Sequence, residues 1–323
     1  RGGVLGRRND SGGRGGGQVG GAGRGEERLG RCGARMATIE WVSPWGSTVG
    51  YNNASLSLAG RLIEKVTGTT YEQAIVDLLL KPLGISDTLF FLADITARRF
   101  VVGHNRAEDG TITIASPWTM HRGNTPAGGI SATSRDQLAW ARFHLGDGTS
   151  ADGTLLLTKE NLLRMQQPTA DMAGSALGDA VGIGWLLSEK GGVQVVAHGG
   201  TTHGQHSAFA LVPERSFGVS SMTNCGPNGP VFNKKLVDWA MEHYLGVVEV
   251  EPEPLRLPDA ELAPYTGHFE TIAATIDITA VDGRLSAKIG MKAEAAAASG
   301  EDPTEQPPMI LAMSASGRPL RSS

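Results

Sequence analysis

Cysteine is almost missing from this chain: Cys32 and Cys225 are the only two in 323 residues. That is too few for a disulfide framework or a cysteine-rich zinc site. Charged residues make up 19% and the formal net charge is −4, so neither sign dominates enough to call for nucleic acid or an anionic membrane as partner. Long apolar runs are also lacking. Ala74-Ile75-Val76 and Leu78-Leu79-Leu80 are separated by Asp77, far short of the roughly 20 residues that span a bilayer. No apolar stretch of signal-peptide type lies near the first residue. Gly-x-Ser-x-Gly, Walker A and His-Glu-x-x-His motifs are absent, as is a Gly-x-Gly-x-x-Gly after a predicted strand. The simplest sequence signals of an α/β-hydrolase elbow, a phosphate loop, a zinc protease and a dinucleotide fold go with them.

What the chain has in plenty is glycine, concentrated at the front. Residues 1–35 hold 14 of the 45 Gly and 8 Arg against 3 acidic residues, a local charge of +5 that leaves −9 for the other 288 residues. With no aromatics and almost no aliphatics, this stretch cannot bury enough surface to offset its ordering entropy and is expected to be disordered. An Arg/Gly-rich RNA-binding arm would use the same arginines on phosphates. No aromatic interleaves them here, and the opening Arg-Gly-Gly has no regular repeat. A flexible tail, or a leader read from another frame of GC-rich DNA, fits better, with Met36 as an alternative start.

From about residue 38 the texture is that of a folded domain. Asn53 is placed to cap a helix whose Leu58, Leu62, Ile63 and Val66 share one face and which Gly68 stops. Thr70 with Gln73 opens a second helix running to Leu80 and ending at Pro82 and Gly84. Ser134 with Gln137 opens a third, carrying Leu138, Ala141 and Leu145, and Thr158 starts a shorter fourth. Then the period changes. Val181–Leu187, Val193–Ala197, Ser207–Val212 and Phe217–Met222 read as an antiparallel meander, followed by a helix over Val231–Tyr244. Helices, then strands, then a helix indicate an α+β domain with its sheet covered by helices. The Pro-rich stretch 251–264 reads as a linker that resists helix and sheet alike. Tyr265–Glu270, Thr275–Ala280 and Leu285–Ile289 read as a strand and a hairpin, with a fraying tail from Ala293. The predicted organisation is thus a tail to residue 37, a domain over 38–250, the linker, and a partial β-domain over 265–323.

Two clusters carry chemistry: Tyr51-Asn52-Asn53 before the first helix, and His198-Gly199-Gly200-Thr201 at a strand end, followed by His203-Gly204-Gln205-His206. Tyr51–Gly60, Val66-Thr67-Gly68, Pro82-Leu83-Gly84, Pro126–Ser131, and His198 through Leu211-Val212-Pro213-Glu214-Arg215 to Thr223-Asn224 occur in one order. Together they resemble the β-lactamase-related serine hydrolases, a family of class C β-lactamases, DD-carboxypeptidases, D-aminopeptidases and esterases, over about residues 40–245. The resemblance implies a β-lactamase/penicillin-binding-protein-like fold: an antiparallel sheet flanked by helices, with a helical region and a following β-domain.

It also implies acyl transfer through a serine ester on a small-molecule or peptide substrate, with no cofactor and no metal. Tyr51 would carry the proton, a task for which a phenol of ordinary pKa ~10 needs nearby cations. Asn53 would hydrogen-bond the substrate's amide or the family's Lys, fixing its orientation. His198 would stand on the edge strand where many relatives carry Lys, Gly200 would let the substrate backbone approach, and the Thr201 N–H would donate to the oxyanion. Relatives place nucleophile and amine in a Ser-x-x-Lys on one helical turn. No Ser-x-x-Lys occurs in these 323 residues, and the family's first two strands have no counterpart before Tyr51, so no acyl-enzyme is expected.

Each motif also has a plain structural interpretation. Tyr followed by an Asn cap is ordinary helix entry, His-Gly-Gly is commonly a turn, Gly128-Gly129 and Ser131 suit a turn, and Cys225 suits a small buried filler. Two other classes stay open. His198, His203 and His206 lie within nine residues and could hold zinc, although strand alternation points residues three apart to opposite faces. A hydrolase-like shell could instead bind a peptide or D-amino-acid ligand without turning it over. Neither compartment nor oligomeric state is legible from the residues.

Overall fold

The computed structural model describes residues 29, 30, 34, 44, 46, 47, 49–107, 109–116, 122–172, 175, 177–249, 255–271, 274–294 and 309–311. Most of the Gly/Arg-rich stretch and of the C-terminal tail, expected to be disordered and frayed, lies outside these residues. Within that stretch, Leu29 is helical and buried.

The first helix, α1 (Asn53–Thr67), is capped one residue earlier than expected. Asn52, in extended conformation, accepts the Ala54 N–H at 2.8 Å, and Gly68 ends the helix in the left-handed region at φ 70°. Asn53 is therefore the first helical residue and not the cap. Replacing Asn52 by Ala is expected to cost about 1 kcal/mol in urea unfolding. The face that packs also differs from expectation. Ser57, Gly60 and Glu64 are buried, whereas Leu58, Leu62 and Val66 are 51%, 63% and 78% exposed. Gly60 explains this choice. It sits against the Pro126 ring of α4 (Thr125–Gly128), where any Cβ would collide, so the small-residue side lets the two helices approach. Glu64 on that side is held by Arg61 at 2.8 Å and by the Tyr71 N–H at 3.4 Å.

α2 (Tyr71–Ile75) starts at the expected Thr70 cap but gives way to a π-type turn over Val76–Leu80. A short α3 (Leu92–Thr96) precedes β1 (His104–Arg106) and β2 (Ile112–Ile114). α5 (Ser134–Leu145) is capped by Thr133, whose hydroxyl accepts the Asp136 N–H at 3.2 Å, and not by Ser134. α6 (Lys159–Met165) begins after the Thr158 cap.

The main sheet comprises β3 (Ala170–Asp171), β4 (Ala180–Val181), β5 (Leu186–Lys190), β6 (Val193–Ala197), β7 (Gly200–Thr202), β8 (Gln205–Val212) and β9 (Phe217–Thr223). The run expected as one strand over 181–187 is two, β4 and β5, broken at Gly182–Trp185. All pairings are antiparallel, in the order β3-β4-β5-β6-β8-β9. β7 pairs with the start of β8, on the edge that β6 occupies further along. α7 (Asn228–Leu245) covers one face, where Val193, Val195, Ala210 and Val212 pack on Val237 and Met241. α5 covers the other, where Ala141 meets Trp185, Leu187, Val196, Phe209 and Leu211. Both faces are buried, which is why Phe209–Val212 reads as a continuous apolar run.

β10 (Cys225–Gly226) pairs parallel with β1, joining the β1–β2 hairpin to the end of the main sheet. Beyond it, the stretch expected to resist helix forms α8 (Asp259–Leu262), started by Pro258; residues 251–254 of the linker lie outside the described ones. A separate antiparallel sheet follows, β11 (Gly267–Glu270), β12 (Ala274–Val281), β13 (Arg284–Met291) and β14 (Met309–Leu311). β14 lies in the tail expected to fray and is held there by pairing with Leu285–Ala287. Among the described residues no helix is long and apolar enough to cross a membrane.

Candidate active site

The two motif clusters meet at one end of the main sheet. Tyr51 leads into α1 and is exposed; its ring lies 6.1 Å from that of His198, tilted by 37°. Asn53 opens α1 two residues on. His198 follows β6, its backbone N–H donating to the Phe209 carbonyl at 3.0 Å. Its ring Nδ1 is 2.7 Å from the Gly199 carbonyl oxygen. A carbonyl can only accept, so Nδ1 carries the proton and a neutral ring keeps its Nε2 lone pair as an acceptor.

The two glycines let the chain bend from β6 into β7 against β8. A Cβ on Gly199 would lie 2.8 Å from the Ser207 carbonyl oxygen, and one on Gly200 would lie 3.1 Å from the Ser207 hydroxyl. Gly199 therefore has a structural reason to be glycine, while Gly200 and Thr201 lie exposed on the strand. Across β7–β8, Gly200 pairs with Ser207 and Thr201 with His206. The Thr201 hydroxyl is 3.1 Å from His206 Nδ1, a contact across the tight His203-Gly204 turn that spacing alone did not single out. Burial lowers the His206 pKa. Its Nε2 lies buried without a partner, beside Gly226 and Gly229, where added side chains would meet the ring.

The β7–β8 turn is clamped from below. Any Cβ on Gly103 would collide with the His203 carbonyl oxygen, and one on Gly204 (φ 68°) would come within 2.6 Å of the His104 nitrogen. Asn224 ties the same region, accepting the His104 N–H at 2.8 Å and donating Nδ2 to Val102 O at 3.0 Å. Ser131 pairs backbone to backbone with Leu89, and a Cβ on Gly129 would meet Thr125 Cα at 2.7 Å, so that segment is a packed turn. Among the described residues no three His, Cys, Asp or Glu side chains are placed to hold a metal ion, and His198, His203 and His206 make no such group.

The site thus offers a phenol, an imidazole and an exposed glycine-bordered strand at a sheet end. The model of the family described as Beta-lactamase matches residues 11–239. The chain belongs to the Beta-lactamase family. It is a β-lactamase-related, penicillin-binding-protein-like chain of the serine hydrolases. It is 29% identical over 254 residues to penicillin-binding protein 4 of Amycolatopsis lactamdurans, covering 77% of this chain and 66% of that one. It is 23% identical over 199 residues to the D-alanyl-D-alanine-carboxypeptidase/endopeptidase AmpH of Escherichia coli (strain K12), covering 59% of this chain and 49% of that one. Its fold is that of the octameric penicillin-binding protein homologue from Pyrococcus abyssi, with a TM-score of 0.60 at 19% identity over 89% of this chain and 60% of that one. The chain spans about half to two thirds of the length of these proteins.

Proposed function

We propose that this site holds the carbonyl of an amide, lactam or ester as a β-lactamase-type serine hydrolase does, with residues 38–250 as the hydrolase unit and 265–323 as an appended β-unit. The apposition of Tyr51 and His198, 6.1 Å apart between ring centroids at the β6–β7 bend, carries the reading. Tyr51 stands in the place of the family's proton carrier and offers its hydroxyl to the ligand, Asn53 orients the substrate amide, and His198 accepts a hydrogen bond through Nε2. The substrate lies along Gly200, with the Thr201 N–H as donor to the carbonyl oxygen.

The sequence has no Ser-x-x-Lys, so this chain binds such a ligand without forming a serine ester. The relatives' names, a penicillin-binding protein and a D-alanyl-D-alanine carboxypeptidase/endopeptidase, make a fluorescent penicillin and a D-alanyl-D-alanine peptide the first probes. No label is expected on a denaturing gel. The peptide is expected to raise the melting temperature, and Tyr51→Ala and His198→Ala to remove that rise. Covalent labelling, or turnover lost in Tyr51→Phe, would overturn the non-acylating part; no melting shift in the unaltered protein, or an undiminished shift in both alanine variants, would overturn the site.

A further inference from the structure

We propose that His206 is a positioning residue that fixes the Thr201 hydroxyl as a hydrogen donor towards the ligand. This face of β7 then takes a carbonyl or carboxylate oxygen, and not an N–H. The proposal rests on the reading of Gly200 and Thr201 as the strand along which the ligand lies.

The hairpin brings the two side chains together. The turn between β7 and β8 has two residues, His203 and Gly204, and is closed by the pair of Thr202 with Gln205. A pair that closes a two-residue turn exchanges its backbone hydrogen bonds. The next pair out, Thr201 with His206, is therefore of the non-hydrogen-bonded kind. Side chains stand closest in such a pair, which accounts for the 3.1 Å between the Thr201 hydroxyl and His206 Nδ1. The Thr201 N–H and carbonyl, left out of the ladder at this point, are turned away from β8.

The direction of the Thr201–His206 bond depends on which ring nitrogen carries the proton. Burial lowers the His206 pKa, so near neutral pH the ring is uncharged and one nitrogen is bare. A hydroxyl serves Nδ1 either as donor or as acceptor, so the surroundings of Nε2 decide. Nε2 is buried and has no partner among the described residues. The nearby Thr223 hydroxyl, across β8–β9 from His206, is likewise unpartnered and does not accept from it. A Cβ on Gly229 would lie 2.7 Å from His206 Cδ2, and one on Gly226 would lie 3.3 Å from Nε2. Gly229 is the second residue of α7, an 18-residue helix whose first turn has neither a side-chain cap nor an acidic residue. The positive end of that helix thus lies against the ring. It favours a lone pair on Nε2 over a hydrogen, and a buried N–H without an acceptor is the rarer orphan. Both place the proton on Nδ1. Nδ1–H then donates to the Thr201 oxygen, and the hydroxyl hydrogen is left for the ligand. Together with its backbone N–H, Thr201 presents two donors.

Calorimetric titration of the full 323-residue chain with the D-alanyl-D-alanine peptide tests this, beside a nitrogen NMR spectrum of isotope-labelled histidines. The spectrum needs no ligand. His206, assigned by the loss of its signals in His206→Asn, should show a protonated Nδ1 and a bare Nε2 near neutral pH. Thr201→Val and His206→Leu should each weaken the peptide about tenfold. The double variant should lose no more than either alone. His206→Asn, whose amide N–H can replace Nδ1–H, should restore most of the affinity, which a merely structural histidine would not predict. Circular dichroism checks that the variants fold. A bare Nδ1 overturns the proposal, and so do additive losses. A chain that binds no peptide overturns the reading of the strand, and the spectrum alone then upholds or overturns the direction of the Thr201 hydroxyl.

Discussion

Gly103→Ala is expected to destabilise the protein by about 2–3 kcal/mol and to abolish the peptide-induced rise in melting temperature. The new Cβ would collide with the His203 carbonyl oxygen and lie within 2.8 Å of the Gly204 carbonyl carbon. Both are backbone atoms, so no side-chain rotation relieves the overlap, and overpacking of this kind typically costs about 1–3 kcal/mol. The atoms that must yield belong to the turn joining β7 to β8. The displacement is therefore passed to Gly200 and Thr201, while the core between the sheet and α7 is left in place. Gly50→Ala is the control: no atom lies within 4 Å of its Cβ position, and a change of less than about 0.5 kcal/mol is expected. Urea unfolding gives the stability, and the melting shift reports the site. An intact shift in Gly103→Ala would mean that the turn does not position the strand.

Acidification is expected to cost the protein about 3 kcal/mol through one histidine. His144 is 4% exposed, with ring contacts to Trp140 at 4.4 Å, Trp185 at 5.0 Å and Phe143 at 5.5 Å. Neither ring nitrogen has a hydrogen-bond partner, and burial pushes the pKa down from 6.5 to about 4. The folded state thus holds the ring neutral where the unfolded chain would protonate it. Between pH 6.5 and pH 4 the unfolded state binds more protons, so stability is full above pH 6.5 and falls as pH drops through that window. A shift of this size corresponds to about 3 kcal/mol. His206, lowered by burial, adds in the same direction, whereas His268, raised by its hydrogen bonds to Asp277 and Glu270, acts in the opposite sense. Subtraction isolates the effect: His144→Leu should show a pH dependence of unfolding shallower by about 3 kcal/mol over the window. Parallel curves for the two proteins would assign the acid sensitivity elsewhere.

Where the local code is strong, it was legible. Thr70 and Thr158 cap the helices their spacing indicated, and β6 runs over Val193–Ala197 as read. Errors cluster where two neighbours could serve the same role. Asn52 and Asn53 are both competent caps, as are Thr133 and Ser134, and the residue that adopts extended backbone takes the part. Gly60 was missed as a contact. Its use depends on the Pro126 ring, 66 positions away in the chain, which no helical period reports. The Leu58–Leu62–Val66 stripe shows the complementary limit. A moment in the sequence says which side is apolar, while burial also requires a neighbour on that side.

Composition and motif order by themselves determined the family, the α+β class, the lack of any Ser-x-x-Lys and the absence of a cysteine framework, because these are properties of residue identity and spacing. Tertiary structure alone decided which ring faces His198, which glycines are sterically obliged, and that His206 bonds Thr201. It also decided that β9 pairs with β8 and that α7 packs on the face of that sheet. The physical reason is common to all four. Each depends on the distance between groups brought together by strand pairing and helix packing, and local propensity carries no information about which distant segment will arrive.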